Sequence, residues 1–123
     1  MEAKQWLKAL DQSCRRKGIL LVYSLPWGFV PQERLAKMQR ANAGFLLEMM
    51  EFMPVLKDPR LGCYSNKESF ADTSWHLVPV AAGFRTGELA DQIQNQRFWL
   101  RPELVSLASQ EVESERITPR RKL

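Results

Sequence analysis

The sequence predicts an α+β fold, a single compact domain that is mainly helical with a small sheet; an all-α fold is the runner-up. Three observations predict it. Apolar residues recur at three- and four-residue spacing over several long segments, the mark of amphipathic helices. Short runs rich in Ile, Val and Tyr punctuate them, as buried strands do. The chain has 123 residues, 45% of them hydrophobic and 26% charged, which suits one globular domain. That domain spans residues 1–116, and a basic tail, 117–123, follows it.

The first helix is expected over 2–17. Ala3, Trp6, Leu7, Leu10 and Cys14 share one face, and Lys4, Lys8, Asp11, Gln12, Arg15 and Arg16 take the other. Arg15, Arg16 and Lys17 complement the dipole in the last turn, and Gly18 fits the left-handed position that ends a helix. Residues 19–23 (ILLVY) then predict a buried strand. Leu25-Pro26-Trp27-Gly28 predicts a turn. Trp27 at its tip either folds back as a lid on the core or stands outside as a partner-binding residue, and its large area favours the lid.

The central helix is expected from Pro31 to about residue 53, ended by Pro54. Leu35, Met38, Asn42, Phe45, Met49 and Phe52 form a seam. Ala36, Ala43, Leu47 and Met50 form a stripe beside it, with Leu47 and Met50 deeply buried. Asn42 within the seam either bonds a neighbouring backbone group or, as in coiled coils, fixes register, and the first reading is preferred. Residues 54–66 predict a connection. Ser65 and Glu68 have capping-box spacing ahead of a short helix at 66–72.

Residues 76–84 (HLVPVAAGF) predict an edge strand, with a helix-turn-helix pivoting on Gly83 as the alternative. A helix over about 87–97 capped by Thr86 follows. Phe98-Trp99-Leu100 reads either as a strand end, with 97–100 joining a sheet of 19–23 and 76–84, or as a tight packed corner. The last helix opens at Pro102 and runs to about Arg116, with Leu104, Val105, Ala108 and Val112 inward.

Charge is segregated along this frame. Residues 1–40 carry eight Lys/Arg against three acids, 41–115 carry six against eleven, and 116–123 carry four cations and no acid. Basic ends around an acidic middle point to polyanion binding, an acidic partner, or self-association. Arg34, Lys37 and Arg40 lie in the first half of the central helix, against its dipole, so helix stability does not call for them. The candidate nucleic-acid or polyanion surface is therefore Arg15, Arg16 and Lys17, with Arg34, Lys37 and Arg40, and Arg120, Arg121 and Lys122 of the tail. Phosphate neutralisation needs such cations on one surface.

The sequence points to a small non-enzymatic binding or regulatory protein contacting the nucleic-acid phosphate backbone. The alternative is an interaction or assembly subunit whose basic ends dock an acidic protein, and a homo-oligomer fits either reading. No catalytic residue, metal ligand or cofactor is assigned. His76 is the only histidine, the glycines are scattered, and a Cys63–His76–Asp72 arrangement has no local motif behind it. Two cysteines with no secreted spacing pattern predict reduced thiols and a cytoplasmic protein. No membrane partner is expected, because no apolar run reaches spanning length.

Overall fold

A computed structural model describes residues 2–117, with side chains described over 2–110. In these residues the order is α1 (Ala3–Arg16), β1 (Gly28–Phe29), α2 (Leu35–Met49), β2 (Cys63–Tyr64), α3 (Pro79–Gln94) and α4 (Arg101–Ile117), with 3-10 turns at Gln32–Arg34 and Lys67–Ser69. The result is a small α+β domain, as the sequence predicts.

The core lies between α2 and α4. Ala43, Leu46 and Met49 of α2 meet Leu104 of α4, and Leu25, Met53, Val55, Leu61 and Trp99 close the cluster. Leu46, Val55, Leu61 and Leu104 are essentially solvent-free. Burying each such side chain contributes roughly 1.5–3 kcal/mol, so this seam supplies most of the driving force. The inward phase of α2 differs from the expected one. Leu47 and Met50 are half-buried, while Leu46 and Met49 take the deep positions. Phe45 is exposed for the same reason, as is Val105 on α4, where Leu107 and Ala108 pack instead. Val112 lies outside the described side chains.

The sheet also differs. The strands are β1 and β2, paired in parallel with Gly28 opposite Cys63 and Phe29 opposite Tyr64. The expected strand 19–23 contributes one bridge, Tyr23 to Val55, and the expected 97–100 contributes one, Phe98 to Leu56. Both join 54–57, which the sequence marks as a connection because Pro54 and Pro59 obscure the apolar Val55-Leu56 pair. Ile19 and Leu20 are exposed, since they belong to the end of α1. There Gly18 N–H donates to Arg15 O and Ile19 N–H to Cys14 O, with Gly18 at φ +73°. This is the Schellman ending, which sets Ile19 over the last turn of α1.

Residues 79–94 form one continuous helix, neither strand nor helix-turn-helix. Pro79 occupies the first turn, where its missing N–H is not needed, and Val78 before it is extended (ψ 158°). Gly83 is helical, and the Thr86 hydroxyl donates back to Ala82 O instead of capping a new helix. Asn66, not Ser65, caps the 3-10 turn by accepting from Glu68 N–H. The chain does not turn at 25–28 but runs on into β1.

One tight loop fixes β2. Asp58, buried, accepts Arg60 N–H (3.0 Å) and Gly62 N–H (2.9 Å). Leu61 and Gly62 both have positive φ, and a Cβ on Gly62 would lie 2.7 Å from Pro26 O. Asn42 donates to Leu61 O at 2.8 Å, so the polar residue of the seam bonds a backbone carbonyl and holds this loop to α2.

Candidate functional site

The exposed faces of α1 and α3 are built differently from the α2–α4 seam. On α1 the buried residue is Asp11, placed by the sequence on the polar face; its carboxylate takes the Arg15 guanidinium at 2.9 Å. The helix leans on the core through Leu7 and is tied by the Lys4–Glu48 ion pair (2.9 Å). That tilt leaves the other half of its apolar face outward. Trp6 is 59% exposed and Leu10 is exposed, as are Ile19 and Leu20 beyond the helix end. At 100° per residue, Trp6, Leu10, Ser13 and Lys17 fall on one stripe, and Arg16 lies a quarter-turn away on the solvent face.

Of the sequence-predicted cations, Arg15, Arg16 and Lys17 are exposed at the end of α1, and Arg34 and Lys37 are exposed at the start of α2. Arg40 is different: it is half-buried beside Leu61, Leu107 and Gln110, turned toward the α2–α4 seam. Arg34, Lys37 and Arg40 therefore do not form one fully exposed stripe. Arg120, Arg121 and Lys122 lie outside the described residues.

Trp27 is 6% exposed and takes the lid position. Its ring stacks on Tyr64 with centroids 4.0 Å apart, and the guanidiniums of Arg60 and Arg85 lie over it at 5.8 and 5.4 Å. Arg85 donates to Ser24 Oγ (2.5 Å) and Leu25 O (2.9 Å), while Arg60 bonds the Tyr64 hydroxyl and Glu88. Burial, with Asp58 nearby, pushes the Tyr64 phenol up, so it is neutral at pH 7. This cluster, with Gln92 donating to Lys57 O at 2.6 Å, clamps α3 to the body. Only Ala81 and Gln92 of α3 are buried. Its outer face carries Val80 and Phe84, both about 70% exposed, beside Gly83 and Gly87.

The Cys63–His76–Asp72 arrangement is not assembled. His76 Nδ1 does meet Asp72 Oδ1 at 2.7 Å, on an exposed turn. Cys63, buried, instead donates to Leu61 O and accepts from Asn42, and burial pushes its thiol up to about 11. A thiol so protonated at neutral pH is a poor nucleophile. Cys14 and Cys63 are both unpaired. Among the described residues no three His, Cys, Asp or Glu side chains are grouped to hold a metal, and no helix is long and apolar enough to cross a membrane.

Sequence reasoning missed Trp6, Leu10, Val80 and Phe84 as surface residues, since apolar periodicity does not say which part of a face the core covers. The usable signal was spacing: Gly83 and Gly87 four apart, beside Val80 and Phe84 four apart. No protein-family model matches this chain, and no curated protein or solved structure is significantly similar to it.

Proposed function

We propose that the chain is a non-enzymatic, cytoplasmic assembly subunit that docks an acidic protein partner through α1. The observation that carries this reading is the exposed Trp6–Leu10 ridge, with Lys17 in line with it and exposed Arg16, Ile19 and Leu20 at the C-terminal end of α1. Contiguous exposed apolar side chains with a charged rim are typical of interaction surfaces, and Trp is the side chain most enriched among binding hot spots. Leucine and isoleucine at such positions do nothing for phosphate binding. The two unpaired cysteines fit a reducing compartment.

The test is a titration of the full chain, followed by Trp fluorescence, with an acidic leucine-bearing helical peptide and with polyglutamate of equal charge. The apolar acidic peptide is expected to bind and shift Trp6 emission to the blue, and Trp6→Phe is expected to abolish the shift. Equal binding of polyglutamate would contradict the reading.

A second reading, the nucleic-acid phosphate backbone, is supported by the exposed Arg15, Arg16, Lys17, Arg34 and Lys37, together with Trp6 as a stacking surface. Titration against single-stranded and duplex DNA and RNA at several salt concentrations tests it. Each lost phosphate contact reduces the slope of log affinity on log salt by roughly one. Removing residues 117–123 should act in the same direction if the tail contributes.

A further inference from the structure

We infer that the acidic partner of α1 is a second copy of this chain, and that α1 of one copy packs head-to-tail into a helix-wide shelf on α3 of the next. The inference rests on the reading of α1 as the docking face. The shelf is lined by Val80, Gly83, Phe84, Gly87, Glu88 and Asp91, so its only charged residues are acids. Nothing lies within 4 Å of where a Cβ on Gly83 or Gly87 would stand. The two glycines therefore form an open trough one residue-row wide, and Val80 and Phe84 form the ridge beside it.

Shape and charge both fit α1. Ridges spaced four residues apart on one helix pack into grooves spaced four apart on another, crossing at about −50°. Trp6 and Leu10 are such a ridge, exposed on α1; Gly83 and Gly87 are such a groove. With the helices roughly parallel, Arg16 and Lys17 lie toward the end of α3 that bears Glu88 and Asp91. Those carboxylates already hold exposed pairs, Glu88 Oε1 with Arg60 at 3.1 Å and Asp91 with Arg97 at 3.4 Å. The Glu88 side chain is 39% exposed and bonds Arg60 through Oε1, which leaves its other oxygen to accept from a cation of the next copy. The contact is heterologous, since α1 and α3 are different surfaces, so an array of any length leaves one α1 unused at one end and one α3 unused at the other. Such contacts close into rings or extend as filaments.

Complementation tests this directly. The weight-average mass of the wild-type chain, followed by sedimentation over a concentration series, is expected to rise above the monomer. Leu10→Glu spoils only the ridge, and Phe84→Glu only the shelf. Each is expected to weaken self-association about tenfold or more, as loss of a central apolar anchor does. Phe84 is 68% exposed, so Phe84→Glu should leave the melting temperature unchanged; Leu10 is 36% exposed, so Trp6→Gln, at a 59% exposed position, serves as the second ridge variant that keeps the arm readable if Leu10→Glu lowers it. The decisive arm is the equimolar mixture of Leu10→Glu and Phe84→Glu chains. One retains an intact shelf and the other an intact ridge, so a 1:1 heterodimer and nothing larger is expected. A wild type monomeric at its highest soluble concentration would overturn the inference, and so would failure of the mixture to pair. If that monomer still binds the acidic peptide through Trp6, the docking reading stands and only the second copy falls. A monomer that instead binds anionic lipid vesicles through Trp6 overturns both.

Discussion

The α2–α4 seam and the α1/α3 periphery use the same residue types for opposite ends. In the seam, Leu46 and Leu104 are almost wholly removed from water, and the polar side chains that reach it are Asn42, satisfied by Leu61 O, and the half-buried Arg40 at its edge. On α3, the body-facing residues are Arg85, Glu88 and Gln92 in hydrogen bonds, while Val80 and Phe84 face solvent. On α1 the buried residue is an aspartate and Trp6 is outside. A helix held by a polar clamp with its apolar side outward gains little from the fold's own hydrophobic burial. Its apolar face stays in solvent in the isolated chain. The seam holds the fold, and the two outer helices offer surfaces.

Substitution can break this contrast at its strongest point. Leu46→Ala or Leu104→Ala is expected to cost about 2–5 kcal/mol by thermal or urea unfolding, because each empties a solvent-free position. Phe84→Ala or Val80→Ala should stay within about 0.5 kcal/mol. If the α3 pair proved as costly as the α2–α4 pair, the two regions would not differ as described.

A smaller effect is expected at the loop joining the two regions. Gly62→Ala puts a Cβ against Pro26 O at φ +73° and should destabilise by about 1–3 kcal/mol. Asp58→Ala should fall in the same range, because two backbone N–H groups lose their acceptor. Chemical denaturation checks both.

Arg85→Met should act locally. It removes the bonds from α3 to Ser24 and Leu25, so amide exchange in α3 is expected to speed up while that of α2 is unchanged. Equal acceleration in both helices would mean that the clamp is part of the main cooperative unit.

The smallest effect is a pH dependence confined to alkaline solution. The Cys63 thiol is raised from 9.0 to about 11 by burial, then by Asp58. Its contribution is fully present below about pH 9. It is lost as pH rises toward 11, because the unfolded thiol ionises first and the folded one resists. Cys63→Ala should flatten part of the loss of stability measured over that window.

Much of this fold was legible in the sequence. Gly18 as a helix terminator, Asn42 as a backbone partner and Trp27 as a lid all follow from local chemistry. The last helix opening at Pro102 does as well, its first residue being Arg101. Other features required tertiary information. The phase of α2 slipped by one residue because its second half is apolar nearly all round, so Leu46 and Leu47 were equivalent until α4 chose between them. Pro79 reads equally as a strand breaker or as a first-turn helix residue, and only the continuous α3 decides. The candidate site was least legible. Arg40 turns inward against Leu107, and Trp6 turns outward, because Leu7 and Asp11 set how α1 leans on the core.

The contrast between seam and periphery is tested most directly by amide hydrogen exchange of the full chain in dilute and in concentrated solution. Strong protection of α2 and α4 at both concentrations is expected, because intramolecular burial supplies it. Protection of α1 and α3 should be weak in dilute solution and should rise with concentration, in both helices together. Strong, concentration-independent protection of α1 and α3 would contradict the account. It would show that the outer helices are stabilised by the fold itself and that their apolar faces do not await a partner copy.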